Sequence, residues 1–156
     1  METALHETES LEKEIRIAAR PETVFSFLVD PVKMTRWMGI NVTLDPKPGG
    51  IYRVDVDGSH IARGEYVEVT PYSRVVFTFG WEGDDSPLLP GSSTVEITLT
   101  PDGDATVLRL CHFGLDAEQR KSHAEGWDHF VPRLGMVAEG NDPGADPWAA
   151  DSNGHS

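Results

Sequence analysis

A chain of 156 residues, 38% hydrophobic and 25% charged, is long enough to bury one continuous core and fits a single domain. Its net charge of −13 repels nucleic acid and anionic membranes, which are bound through Lys and Arg, so neither is an expected partner. The lone Cys111 excludes an internal disulfide and a multi-cysteine metal site. No apolar run reaches the length of a membrane span, and METALHETES lacks the basic start and apolar stretch of a secretory signal, so the expected location is cytoplasmic.

Residues 1–9 read as a flexible leader. Leu11 to Ile17 alternates apolar and charged residues, the pattern of a half-buried strand. Pro21 suits the first turn of a helix, and Glu22 lies near the positive end of its dipole. Val24, Phe25, Phe27 and Leu28 give that helix a short apolar stripe, and Asp30-Pro31 ends it and starts a second, carrying Met34, Trp37 and Met38. Short strands follow at Asn41 to Leu44 and Ile51 to Val56, then at His60 to Val69 and Arg74 to Trp81, separated by Pro/Gly and Asp-Gly turns. Glu82 to Ser92 is an acidic loop rich in Gly and Pro. Val95, Ile97 and Leu99 mark the next strand, Pro101 to Asp104 a hairpin turn, and Thr106 to Phe113 the last strand. Asp116 to Gln119 opens a helix that runs to about Glu139, with Pro132 either kinking it or absorbed locally and Gly140 as its C-cap. The remainder, 141–156, is acidic and rich in Pro and Gly, and reads as a disordered tail.

One strand, two short helices, six strands and a long helix make an α+β chain, with seven strands in an antiparallel meander and the helices on one face. Val75, Phe77, Phe79 and Trp81 share one side of a strand, as do Leu108, Leu110 and His112. Trp127, Phe130 and Leu134 supply the complementary face of the last helix. The interior between them is either a packed core or an apolar cavity. The expected lining is Trp37 and Met38 from the second short helix, Tyr52, Tyr66, Phe77, Phe79, Trp81, Leu110 and His112 from the sheet, and Trp127 and Phe130 from the long helix. Trp37, Trp81 and Trp127 are expected to converge at one end.

His112 is the only candidate for chemistry. A neutral imidazole at an inward position could bond a ligand oxygen, act as a general base, or simply be hydrogen-bonded to a neighbouring group. By parity Arg53 and Arg109 point outward, while the face of Arg63 and Glu65 is left open. Cys111 alternates away from His112, which disfavours a Cys–His nucleophile pair. His123 and His129 on the last helix lack the i, i+4 spacing of a metal pair, and no metal site is expected. Without a nucleophile elbow, a phosphate-binding glycine loop or a dinucleotide fingerprint, no cofactor is expected.

The order of these elements, together with Ala19 to Phe25, Arg36-Trp37-Met38, Pro48 to Arg53, Gly64 to Pro71, Arg74 to Phe79, Thr94 to Leu99, Thr106 to His112 and Gly126-Trp127, resembles the START-like (SRPBCC, helix-grip) superfamily. The branch it is most similar to comprises bacterial proteins like the C-terminal domain of the heat-shock-protein-90 ATPase activator. The resemblance spans roughly 11–139, within a domain drawn at 10–140. It implies a seven-stranded antiparallel sheet wrapped around the long C-terminal helix, with a cavity between them. Its members include lipid and hormone binders and polyketide cyclases, and a fold shared so widely does not license an activity. The reading of residues and resemblance together is a binder of an apolar or aromatic small molecule, more than a catalyst. The alternatives are a cyclase- or hydrolase-type enzyme using His112 with an Arg or a Tyr (Tyr52 or Tyr66) assisting, and a co-chaperone-like interaction module. An exposed sheet edge and the acidic loop could also mediate a homodimer.

Overall fold

In β1 (Leu11–Ile17), Leu11 and Ile17 are buried while Glu12, Glu14 and Arg16 face solvent, as the alternation requires. The computed structural model describes residues 10–83 and 88–144. The expected leader at 1–9 and most of the expected tail lie outside the described residues.

Helix α1 (Pro21–Val29) starts on Pro21, whose fixed backbone suits that position, and buries Val24, Phe25, Phe27 and Leu28. Asp30 then serves two elements. Its N–H bonds the Ser26 carbonyl at the end of α1, and its carboxylate accepts the N–H groups of Val32 and Lys33 at the start of α2 (Pro31–Met34).

Six strands follow: β2 (Asn41–Leu44), β3 (Ile51–Asp55), β4 (Ile61–Thr70), β5 (Arg74–Phe79), β6 (Ser93–Asp102) and β7 (Ala105–Phe113). With β1 they form one seven-stranded sheet in the order β1-β7-β6-β5-β4-β3-β2, every neighbouring pair antiparallel. Consecutive strands from β2 to β7 pair as a meander, through short turns except for the longer loop between β5 and β6, and β1 closes on β7 with Leu11 opposite His112. The sheet changes register on β4, where a bulge lies between Tyr66 and Glu68. At Gly64 the backbone of β5 approaches so closely that a Cβ would sit 1.8 Å from the Thr78 carbonyl oxygen, which only glycine tolerates.

β5 stops at Phe79, two residues short of the expected Trp81. Gly80 passes against the backbone of Leu89, Trp81 donates its N–H to the Leu88 carbonyl at 2.7 Å, and Trp81 meets Ala62 only as an isolated bridge. The chain therefore leaves the β5 ladder just where the Trp81 side chain is delivered.

Helix α3 (Ala117–Ala138) is continuous, and Pro132 is absorbed within it. Asp116 and Gln119 form a reciprocal capping box at its start. At its end Gly140, with φ +88°, bonds the Val137 carbonyl, and Asn141 bonds that of Met136, a Schellman closure. The helix presses on β1, where Gly135 allows a close approach to Ile15, and Lys13 reaches Asp128 at 2.6 Å. Glu139 also accepts the N–H of Ala18 at 2.8 Å, tying the end of α3 to the turn after β1. Replacing Asp116 with alanine removes one side of the capping box. It is expected to lower the unfolding free energy by about 1 kcal/mol, measured as a shifted urea midpoint with an unchanged slope.

Candidate functional site

Alternation on the sheet turns Tyr52 and Val54, Ala62 and Tyr66, Phe77 and Phe79, Ser93 and Val95, and Leu108, Leu110 and His112 toward the interior, where all are buried. Trp127, Phe130 and Leu134 come from α3, and Met34, Trp37 and Met38 from α2 and the turn after it. All the predicted lining residues join one hydrophobic cluster, Trp81 as a partly buried member, apart from His112, which packs among its rings. The arginines of β3, β4 and β7 lie on the outer face, whereas Lys13 on the inner side of β1 is drawn to Asp128 of α3. Arg53 pairs with Glu82 at 2.9 Å and Arg109 with Glu12 at 2.6 Å. Arg63 also reaches Glu82, at 3.5 Å, and Glu65 is exposed, so both residues left open by parity belong to the outer face.

His112 is fully buried, at 0% exposure, and both of its ring nitrogens are engaged. The Trp127 indole N–H reaches Nδ1 at 3.2 Å, and the Ser93 hydroxyl lies 2.8 Å from Nε2. An indole nitrogen can only donate, so Nδ1 is the acceptor and the ring proton sits on Nε2. Nε2–H then donates to Ser93 Oγ, and the Ser93 hydroxyl donates to the Phe79 carbonyl at 2.7 Å. The Ser93–His112 pair has the separation of a nucleophile and its base, but its proton points the wrong way. A base for Ser93 needs a bare nitrogen, and that nitrogen is turned to Trp127. Burial, and then the neighbouring His123, push the His112 pKa down from 6.5 to about 3.

A second pair repeats the pattern. His123 lies 2.8 Å from the Gln119 carbonyl through Nδ1 and accepts the Trp81 indole N–H on Nε2 at 3.0 Å. Burial lowers its pKa as well. The rings of His112 and His123 stand edge to face at 5.3 Å, and Phe79 lies against both, at 5.1 and 6.1 Å. Trp81 and Trp127 thus come together around Phe79. The Trp37 indole donates to the Phe27 carbonyl at 2.9 Å. Ser93 and His123 were not among the expected site residues. The i, i+4 spacing of His123 and Trp127, one face of one helix, was the available signal for the histidine. Ser93 had none, because only the β5–β6 register places it opposite Phe79.

Farther along the sheet, Tyr52 stacks on Phe77 at 4.0 Å and meets Tyr66 edge to face at 6.0 Å. Burial holds both phenols well above their usual pKa, and each stays protonated. Among the described residues, no group of three or more His, Cys, Asp or Glu is placed to hold a metal ion, and no helix is long and apolar enough to cross a membrane.

A seven-stranded antiparallel sheet gripping a long C-terminal helix, with an aromatic interior, defines a helix-grip α+β protein. Residues 18–139 match the family described as Activator of Hsp90 ATPase homolog 1-like protein, and the chain belongs to that family. The resemblance read from the sequence is therefore borne out. The chain is similar to the solution structure of an AHSA1-like protein from Rhizobium etli, with 48% identity over 89% of this chain and 87% of that one, and a TM-score of 0.71. An HSP90 activator from Plasmodium falciparum shares the fold at 22% identity, over 83% of this chain and 95% of that one, with a TM-score of 0.69. So does an Aha1 dimer from Colwellia psychrerythraea at 17% identity, over 83% and 96%, with a TM-score of 0.71. No match was found among curated protein sequences.

Proposed function

We propose that this chain binds a small, neutral, apolar or aromatic molecule between its sheet and α3. The observation that carries this reading is the character of the inner surface on β3, β4 and β5, where Tyr52, Tyr66, Phe77 and Phe79 stand side by side and no charged side chain is among the described buried residues. Flat apolar walls with a few polar groups are what a ring-bearing ligand needs. The saturated hydrogen bonding of His112 supports binding over a reaction based on that residue, since neither nitrogen is left to take a substrate proton.

The test is thermal unfolding with and without 2-methylnaphthalene and related two-ring hydrocarbons. A ligand present at about one hundred times its Kd adds about 2.7 kcal/mol to the unfolding free energy, and a clear rise in Tm is the expected result. A Tm unmoved by every compound of that class would overturn the reading. Family membership favours a second reading, a protein-interaction role toward an Hsp90-type chaperone, and retention of that chaperone by the immobilised protein is what it requires. The sheet edges at β1 and β2 are the surfaces on which a homodimer would be built.

A further inference from the structure

The ligand's polar handle can be taken one step further, on the basis of the binding reading above. The buried polar side chains of the interior are matched within the protein almost throughout. Ser93 and His112 bond each other and their neighbours, Thr106 bonds the Ala19 carbonyl at 2.7 Å, and the indoles of Trp37 and Trp127 each have an acceptor. Among the described residues, two buried side-chain polar atoms have no partner, and they are the hydroxyls of Tyr52 and Tyr66.

Their positions are related. Tyr52 lies opposite Gly64 in the β3–β4 register, and Tyr66 is two residues farther on, so both project from one face of adjacent strands. Each is 1% exposed. Among the described residues the other buried side-chain polar atoms are matched and these two, on neighbouring rings 6.0 Å apart, are not, although buried groups of this kind normally have a partner. We propose that Tyr52 and Tyr66 form a two-donor site for the acceptor oxygen of a neutral aromatic carbonyl compound, a ketone or quinone, whose ring lies against the aromatic wall that includes Phe77.

Three features set this class. Both phenols are protonated and so have a hydrogen to give. No Lys or Arg is among the described buried residues, so a carboxylate or phosphate would enter without a counter-charge. The Asp45 carboxylate acts electrostatically on Tyr66 in the sense that disfavours a second anion. A carbonyl oxygen has two lone pairs and accepts from both hydroxyls at once.

The experiment compares 2-acetonaphthone with 2-isopropenylnaphthalene, its isostere in which a methylene replaces the oxygen. Dissociation constants are measured for the full chain and for Tyr52→Phe, Tyr66→Phe and the double variant. The ketone is expected to bind about tenfold more tightly than the hydrocarbon, because a site built to donate hydrogen bonds rejects the analogue that cannot accept them. Each single variant should weaken the ketone about fivefold, and the double variant should erase the preference while the hydrocarbon constant stays put. Without ligand, the Phe variants should keep the wild-type Tm, since no bond inside the protein is lost. Equal binding of both probes, insensitive to the variants, would overturn the carbonyl site and leave the apolar binding reading standing. Failure of both probes to bind would overturn that reading and the site with it. A lower Tm in the unliganded Phe variants would also overturn the site, by showing that the hydroxyls are already bonded in the empty protein.

Discussion

Replacing Phe79 with alanine lowers the unfolding free energy by about 3–5 kcal/mol. Phe79 is 2% exposed, and its ring meets those of Trp81 at 5.4 Å, His112 at 5.1 Å, His123 at 6.1 Å and Trp127 at 6.0 Å. On its other side it lies 6.3 Å from Tyr52 and 6.4 Å from Phe77. Truncation therefore removes the residue that joins the histidine–tryptophan cluster to the tyrosine wall. The surrounding side chains cannot collapse freely into the gap. His112 is held by Ser93 and Trp127, and His123 by Gln119 and Trp81, so the transfer and cavity contributions both apply. Urea unfolding followed by tryptophan fluorescence checks the value. A loss below about 1 kcal/mol would mean that the cluster relaxes around the missing ring, contrary to a fixed hydrogen-bonded frame.

Acid should unfold the protein early, and His112 should be a main cause. An unfolded imidazole takes a proton near pH 6.5, whereas that of folded His112 does so only near pH 3. Between those values the unfolded chain holds more protons, so each fall in pH favours it. Stability is unaffected by this group above about pH 6.5 and then declines by about 1.4 kcal/mol for each pH unit, levelling once the folded ring also protonates. His123, lowered by burial, acts in the same direction. Protonation of either ring would set a second N–H against an indole N–H, with no acceptor left for that tryptophan. Glu82, held below its usual range by the Arg53 hydrogen bond, adds its own loss only at lower pH, so the span from roughly pH 6.5 to 5 isolates the histidines. His112→Gln keeps one acceptor and one donor but cannot titrate, and should give a flatter profile across that span. NMR titration of the wild type should show the His112 ring unchanged down to about pH 4. A His112 resonance titrating near pH 6.5, or equal slopes for variant and wild type, would sink the argument.

Much of the fold was legible in the chain. Alternation in Leu11 to Ile17 and in Val75 to Phe79 placed strands and faces correctly, Pro21 and Asp30-Pro31 placed two helix starts, and parity put His112 inside and Arg109 outside. These are local signals, since a side chain's face follows from the two-residue period of its own strand. Parity also left Arg63 and Glu65 open, because the apolar alternation of β4 is interrupted at Gly64. The end of β5 was not legible either. Gly80 departs from the ladder because the backbone of Leu89 packs against it, a contact made by the following loop.

By itself, then, the sequence determined the element order, the inward faces and the family, because hydrophobic period, turn residues and helix caps act over a few neighbours. Tertiary structure alone decided what the interior groups do. His112 meets Ser93 and Trp127 across 19 and 15 residues, Trp81 meets His123 across 42, and Tyr52 meets Tyr66 through the β3–β4 register. Those encounters set which nitrogen carries a proton and which hydroxyls remain unmatched. Neither can be read along the chain, because a hydrogen bond depends on distance and direction in space and not on separation in sequence.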